Sequence, residues 1–360
     1  MHRRRLVTVA MALATGVSIA LPSVPAAAGD HADGAYRQTN LVSDVPGMAP
    51  MTDPNLVNPW GISSSPTSPM WVSDNNAGVS TIYNGAGQTA RPPVSIPRPD
   101  GTDGGTPTGT VFSGTADFHA DLFLFATEDG TIAGWKRSDG NRARIEKDRS
   151  TVGAGAVYKG LAIGSSATGS HLYAANFRFG TIDVFDTNFN LVTLSGSFTD
   201  VRIPAGFAPF NIQNLGGRLY VTYARQKPDQ HDDLAGPHSG FVDVYDLDGH
   251  LLRRLVRRGA LNSPWGLAIA PATFGPASGD LLVGNFGDGR INAYDLRSGR
   301  FEGALETATG APVQISGLWG IKFGNGGAGG SLTTLYFTAG IVEETHGLFG
   351  KIEPIGEQDD

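Results

Sequence analysis

Cysteine is absent from the 360 residues, so no disulfide staples this chain and no thiolate serves it as nucleophile or soft metal ligand. Histidine is scarce: eight in all, one of them in the first five residues and the rest scattered. A multi-copper site is therefore improbable. Charged residues make up only 17%, and no amphipathic helical period appears beyond the N-terminus. Motifs of catalysis are missing too. There is no Gly-x-Ser-x-Gly elbow, no His-Glu-x-x-His helix and no Walker loop. Gly324-Asn325-Gly326-Gly327-Ala328-Gly329 satisfies the dinucleotide pattern formally. It falls between two strand-like runs and opens no helix, so it reads as a hairpin loop. Asp246-Leu247-Asp248-Gly249 begins like a calcium loop but lacks the later ligands, and reads as a turn.

Glycine and proline, by contrast, are abundant, at 50 and 22 residues, and they punctuate a sixfold repeat. Its text is Pro59-Trp60-Gly61-Ile62, Pro107-Thr108-Gly109-Thr110, Tyr158-Lys159-Gly160-Leu161, Pro209-Phe210-Asn211-Ile212, Pro264-Trp265-Gly266-Leu267 and Leu318-Trp319-Gly320-Ile321. The copies recur every 48 to 55 residues. Each opens an inner strand, and second strands follow at 70–73, 122–127, 171–175, 218–223, 280–284 and 334–338. Third strands alternate apolar and polar residues and carry an aromatic near the end in most copies, as in Gly180-Thr181-Ile182-Asp183-Val184-Phe185. This pattern predicts an all-β, six-bladed propeller.

Fourth strands are expected at 94–97, 142–148, 191–198, 251–256 and 301–305, five for six copies. The strand-like Tyr36 to Ser43 precedes the first repeat with no partner of its own. It is expected to complete the last blade and close the ring, which covers otherwise exposed strand edges.

Residues 1–28 read as a cleaved export signal: Arg3-Arg4-Arg5, an apolar run over 6–21, and Ala26-Ala27-Ala28. Residues 29–360 then form one propeller domain, secreted or held in the cell envelope and expected to be a monomer. Without the signal the chain has 24 basic and 34 acidic residues, a net charge of −10. Such a surface argues against nucleic acid, and no further membrane span is expected.

The loops before each inner strand and those joining second to third strands open on one face of a propeller. Here they are rich in polar residues: Asn58, Asp74, Asn75, Asn76, Glu128, Asp129, Lys159, Asn176, Arg178, Asn285, Asp288, Glu343, Glu344 and His346. Blade four carries a long loop from Arg225 to Ser239 that contains Lys227, His231, Asp232 and Asp233. Asn58, Trp60, Asn75, Asn76, Lys159, Arg178, Lys227, Trp265 and Trp319 are candidates for binding a small molecule, carbohydrate or protein. Glu128, Asn176 and Asn285 are candidate ligands for a divalent cation such as calcium. His231 and Asp232 are candidate acid and base, or else parts of a solvated charged loop. The three tryptophans have two readings, packing between blades and stacking a ligand, and Asn75, Asn176 and Asn285 also read as turn caps.

Several stretches, among them Asp53-Pro54-Asn55-Leu56-Val57-Asn58-Pro59-Trp60-Gly61-Ile62, Tyr173-Ala174-Ala175-Asn176-Phe177 and Gly284-Asn285-Phe286-Gly287-Asp288-Gly289, resemble a family of exported bacterial propeller proteins with NHL-like repeats. That resemblance implies export and the fold, and no activity carries over. More distantly, the six-bladed plan is similar to the gluconolactonase and senescence-marker group, which hydrolyses sugar lactones around a calcium or zinc ion. That group has a metal-binding glutamate at the start of its first inner strand, where this chain has Asn58-Pro59-Trp60 and no acid. Three readings follow: a ligand- or partner-binding module, a metal-dependent hydrolase or lyase, and a scaffold.

Overall fold

The computed structural model describes residues 34–356; the expected export signal and the last four residues lie outside them. Six antiparallel sheets follow one another around an axis. Blade one runs Pro59–Ser63, Met70–Asp74, Val79–Tyr83 and Val94–Ser95, and blade two Pro107–Phe112, Phe123–Thr127, Thr131–Trp135 and Arg144–Asp148. Blade three is Tyr158–Ser166, Gly169–Asn176, Thr181–Phe185 and Leu191–Val192, and blade four Phe207–Leu215, Arg218–Arg225, Phe241–Tyr245 and Leu251–Arg257. Blade five is Pro264–Ile269, Leu281–Asn285, Ile291–Tyr294 and Phe301–Ala304. Blade six takes Leu318–Phe323, Leu335–Ile341 and His346–Pro354 from the C-terminal end.

The ring closes as the strand count implies. Tyr36–Ser43 pairs antiparallel with His346–Pro354, from Tyr36 opposite Pro354 to Ser43 opposite Leu348, with a bulge between Asn40 and Val42. Met51–Thr52 then adds a short fifth strand to this blade, parallel to Tyr36–Ser43, which the repeat did not foretell. Two outer strands are also shorter than expected: blade one keeps only Val94–Ser95 and blade three only Leu191–Val192. No α-helix forms among the described residues, and none of their helical turns is long or apolar enough to cross a membrane.

The repeated glycine has a steric cause. A Cβ on Gly109 would lie 2.3 Å from the backbone nitrogen of Leu161 in the next blade, and one on Gly320 would lie 2.5 Å from the carbonyl oxygen of Trp60. Inner strands therefore touch backbone to backbone near the axis, where no side chain fits. Blade four has Asn211 instead, and its Nδ2 donates to the carbonyl of Trp265 in blade five at 2.8 Å. Asparagine here replaces close approach with a hydrogen bond.

Apolar residues fall into seven buried clusters. Six fill the interfaces between neighbouring blades, including the closing one, where Val42 and Phe349 of blade six meet Met70 and Tyr83 of blade one. The seventh lies on the axis and contains Trp60, Phe177, Phe210, Trp265 and Trp319. Since every blade is covered on both faces, the ring needs no disulfide to hold its shape.

Candidate functional site

One backbone bond recurs in all six blades and fixes the polar end of the channel. At or just after the end of each second strand an N–H donates to a carbonyl just before the inner strand: Asn75 to Asn58, Glu128 to Thr106, Phe177 to Val157, Gln226 to Gly206, Phe286 to Ser263 and, within the last residues of its strand, Gly340 to Gly317, at 2.8–3.0 Å. The two sets of loops are thereby held together, as the propeller reading requires.

Beneath these loops the three tryptophans form a floor. Trp60 and Trp319 stack at 3.5 Å between ring centroids, and Trp265 meets both edge-on at 6.0 and 5.8 Å. Phe286 covers Trp319 from the other side at 4.0 Å. All three indoles are buried. Trp60, Trp265 and Trp319 come from blades one, five and six and pack against one another across those blades, each at the start of an inner strand. Two of the indole N–H groups are engaged, Trp265 with the carbonyl of Lys159 at 3.0 Å and Trp319 with Oδ1 of Asn58 at 3.1 Å. The Trp60 N–H has no partner among the described residues.

Lys159 stands on that floor. Its Nζ lies 5.1 Å from the Trp60 ring centroid, its side chain is only 2% exposed, and it contacts Oε1 of Glu128. The other oxygen of Glu128 accepts from Asn75 Nδ2 at 2.8 Å. Burial pulls the lysine pKa down, but Glu128, Asp232 and Asp233 outweigh it and hold it above its ordinary value. The ammonium is therefore charged at neutral pH, which suits a buried pair completed by hydrogen bonds.

The long loop of blade four folds over this pair as a small hairpin. Lys227 N–H donates to the Asp232 carbonyl at 2.8 Å, Leu234 N–H to the Arg225 carbonyl at 2.6 Å, and Gln226 Nε2 to the Phe177 carbonyl at 2.6 Å. It is a hydrogen-bonded hairpin whose tip, residues 227–230, is exposed to solvent. Asp232 comes within 3.5 Å of both Lys159 Nζ and Lys227 Nζ, and its Oδ1 is 2.8 Å from His231 Nδ1. The hydrogen bond from His231, then the two lysines, push the Asp232 carboxyl well below its usual range despite partial burial. Asp232 and Lys227 are 46% exposed and His231 37%, so these three face the opening while Glu128 and Lys159 lie below.

Glu344 and Asp233, both in the polar loops that the sequence places at the channel mouth, complete the ring. Glu344 Oε2 accepts from Asn58 Nδ2 at 2.9 Å, and the Glu344 carbonyl accepts from Asn76 Nδ2 at 2.7 Å. Its loop runs through Val342, Glu343 and Glu344 with φ of 52°, 52° and 66°. Three successive left-handed residues, one of them β-branched, are strained, and they carry Glu344 in toward the axis. Burial raises its pKa, and Glu128 adds to this against the Asn58 bond. Burial likewise raises Asp233, opposed by Ser263 and both lysines.

Other expected residues lie apart from this cluster. Arg178 turns to its own blade, where Nη1 donates to the carbonyls of Ala154 and Gly155 at 2.7 and 3.2 Å. Asn176 and Asn285, expected as cation ligands with Glu128, are buried and engaged locally. Asn176 Nδ2 donates to Asp183 at 3.1 Å, and Asn285 Nδ2 to the Ala260 carbonyl at 2.8 Å and Asp288 at 3.1 Å. The Oδ1 of Asn285 is buried with no partner among the described residues. Among the described His, Asp and Glu residues, Glu128, His231 and Asp232 have ligand atoms within 4.8 Å of one another. Lys159 Nζ contacts the first and approaches the last of these, so the ammonium shares two of the three candidate ligands.

The opposite end of the channel is wider, with a cavity of about 660 Å³ around the far ends of all six inner strands. This cavity and the cluster of charged groups are therefore at different ends. A smaller cleft of about 420 Å³ lies at the outer side of blades one and two, against Trp71 and Trp135.

No protein-family model matches the chain. Among solved structures it is similar to a glucose dehydrogenase with TM-score 0.54 and 14% identity over 88% of this chain and 98% of that one. A second glucose dehydrogenase gives TM-score 0.52 and 13% identity over 88% and 99%. At such identity the likeness shows the propeller fold alone. In sequence the chain is 33% identical to the uncharacterised protein R648 of Acanthamoeba polyphaga mimivirus, over 88% of this chain and 80% of that protein. It is 34% identical to the uncharacterised protein L690 of the same virus, over 88% and 85%. These relatives are viral, where the sequence resemblance pointed to bacterial proteins. By identity and coverage together, the chain belongs to the same family as these uncharacterised mimivirus proteins.

Proposed function

We propose that the polar end of the channel is a metal-independent binding site for a small polyhydroxylated molecule of the carbohydrate class. The observation that carries this reading is the Lys159 ammonium between Glu128 and Asp232. It offsets part of the negative charge of these carboxylates, and His231, Asp232 and Lys227 are partly exposed at the opening. Carboxylate, imidazole, ammonium and the nearby Asn76 amide suit hydroxyl groups, which both donate and accept. Buried indoles offer no stacking platform, so recognition rests on hydrogen bonds.

The metal-dependent hydrolase or lyase is the second reading, favoured by the spacing of Glu128, His231 and Asp232. A thermal-shift screen of neutral mono- and oligosaccharides separates the two. At least one sugar should raise the midpoint in saturable fashion with chelator present, and His231→Ala and Asp232→Asn should abolish the response. A response that needs calcium and disappears with chelator would favour the metal reading instead; silence toward every sugar and cation would leave the cluster a purely structural one.

Residues 1–28 we read as an export signal, supported by Arg3-Arg4-Arg5, the apolar run and Ala26-Ala27-Ala28. Intact-mass measurement of protein collected outside the cell should show a chain starting near Gly29; a secreted chain retaining Met1 would refute cleavage.

A further inference from the structure

The cavity at the wide end contains polar groups that the protein leaves without partners. Lys322, half-buried on the inner strand of blade six, is the one charged residue in its lining. Among the described residues its ammonium makes no ion pair or hydrogen bond, and burial alone lowers its pKa. In the neighbouring blade the Ser64 hydroxyl is buried with no partner among the described residues. Gln213, at the matching strand end in blade four, lines the same cavity and its amide likewise lacks a partner there. The other polar lining groups are engaged: Ser63 with Thr110 at 3.0 Å, and Asn214 Nδ2 with the Ile163 carbonyl at 2.9 Å. Buried polar groups are ordinarily satisfied, and a half-buried cation without an anion leaves a place for one. Leu161, Leu267, Ile269 and Phe323 supply an apolar wall. The volume, about 660 Å³, is that of a small-molecule site.

We propose that this end of the channel binds a small organic acid, with its carboxylate on Lys322, its apolar body along the aliphatic wall and a polar substituent within reach of Gln213. A carboxylate supplies the missing counter-ion, and a chain of methylenes fills space that water occupies at a loss. A neutral amphiphile satisfies only the second demand. The cavity should therefore discriminate by charge as well as by shape.

The test uses the whole protein and straight-chain carboxylates from butanoate to decanoate, each beside the alcohol of equal length, by calorimetry and thermal shift. One or more carboxylates should bind saturably and about tenfold more tightly than the matching alcohol. Lys322→Met should lose that preference while still taking the alcohol, and Lys322→Arg should retain part of it. Circular dichroism and the unfolding midpoint check that both variants fold; should Lys322→Met fail to fold, Lys322→Gln serves the same comparison. His231→Ala and Asp232→Asn should leave carboxylate binding unchanged, which separates this site from the sugar site at the other end. Absence of saturable carboxylate binding, or equal affinity for acid and alcohol, or a preference that survives Lys322→Met, would each overturn the proposal.

Discussion

The two ends of the channel are made by the same six strands, yet one is packed and ionically complete while the other is open and holds a single cation. At the polar end the strands start from nearly identical text, with glycine against backbone and indole against indole. Carboxylates from blades two, four and six gather around one buried lysine. At the wide end the same strands run out into loops of unequal length, and no carboxylate lines the space around Lys322. The lesson is that a buried lysine has opposite consequences according to its partners. Lys159 is held above its ordinary pKa by three carboxylates, whereas Lys322 is lowered by burial alone.

Substituting methionine at each lysine is the sharpest way to test that difference. Lys159→Met strands Glu128 beside an apolar floor and should destabilise the fold by about 3–5 kcal/mol in a urea or guanidinium titration. Gly109→Ala should follow closely, at about 3 kcal/mol, because the new methyl meets the Leu161 backbone with no flexible neighbour to yield. By contrast Lys322→Met should remain within about 1 kcal/mol of the parent or exceed it, since an unpaired cation gives way to an apolar side chain of like shape. Equal losses at the two lysines would break the comparison.

Their pH dependence should also run in opposite directions. The folded pKa of Lys159 is raised, so its contribution is present below the unfolded value near 10.5 and is lost as pH rises through the folded one. That of Lys322 is lowered, so the folded state binds fewer protons and its penalty fades as pH climbs toward 10.5. Any advantage of Lys322→Met should accordingly be greatest at neutral pH and shrink by pH 10, as unfolding midpoints of variant and parent measured across that range will show. The smallest effect is expected at the exposed rim, where Asp232→Asn should change stability by no more than about 1 kcal/mol while removing the sugar response.

Much of the fold was legible because its cause is local. A glycine every fifty residues or so marks the place where inner strands touch, and an unpaired strand at Tyr36–Ser43 beside a five-to-six shortage marks the closure. The site was legible only in part. Repetition shows that Trp60, Trp265 and Trp319 are equivalent, but not how far from the axis their rings lie. Lys159 and Glu128 sit in successive blades, 31 residues apart, and nothing in either loop announces the other. Glu344 depends on three left-handed residues, among them Val342, that local propensity would steer elsewhere. The wide cavity arises where the repeat ends and loop lengths diverge, beyond the reach of the pattern.

Calorimetric titration of calcium into chelator-treated protein tests the central claim most directly, namely that Lys159 supplies the positive charge at the polar end. No saturable site should appear up to millimolar calcium, and the unfolding midpoint should be the same in calcium and in chelator. A stoichiometric calcium site that vanishes in Glu128→Gln, with a midpoint that falls on chelation, would contradict it.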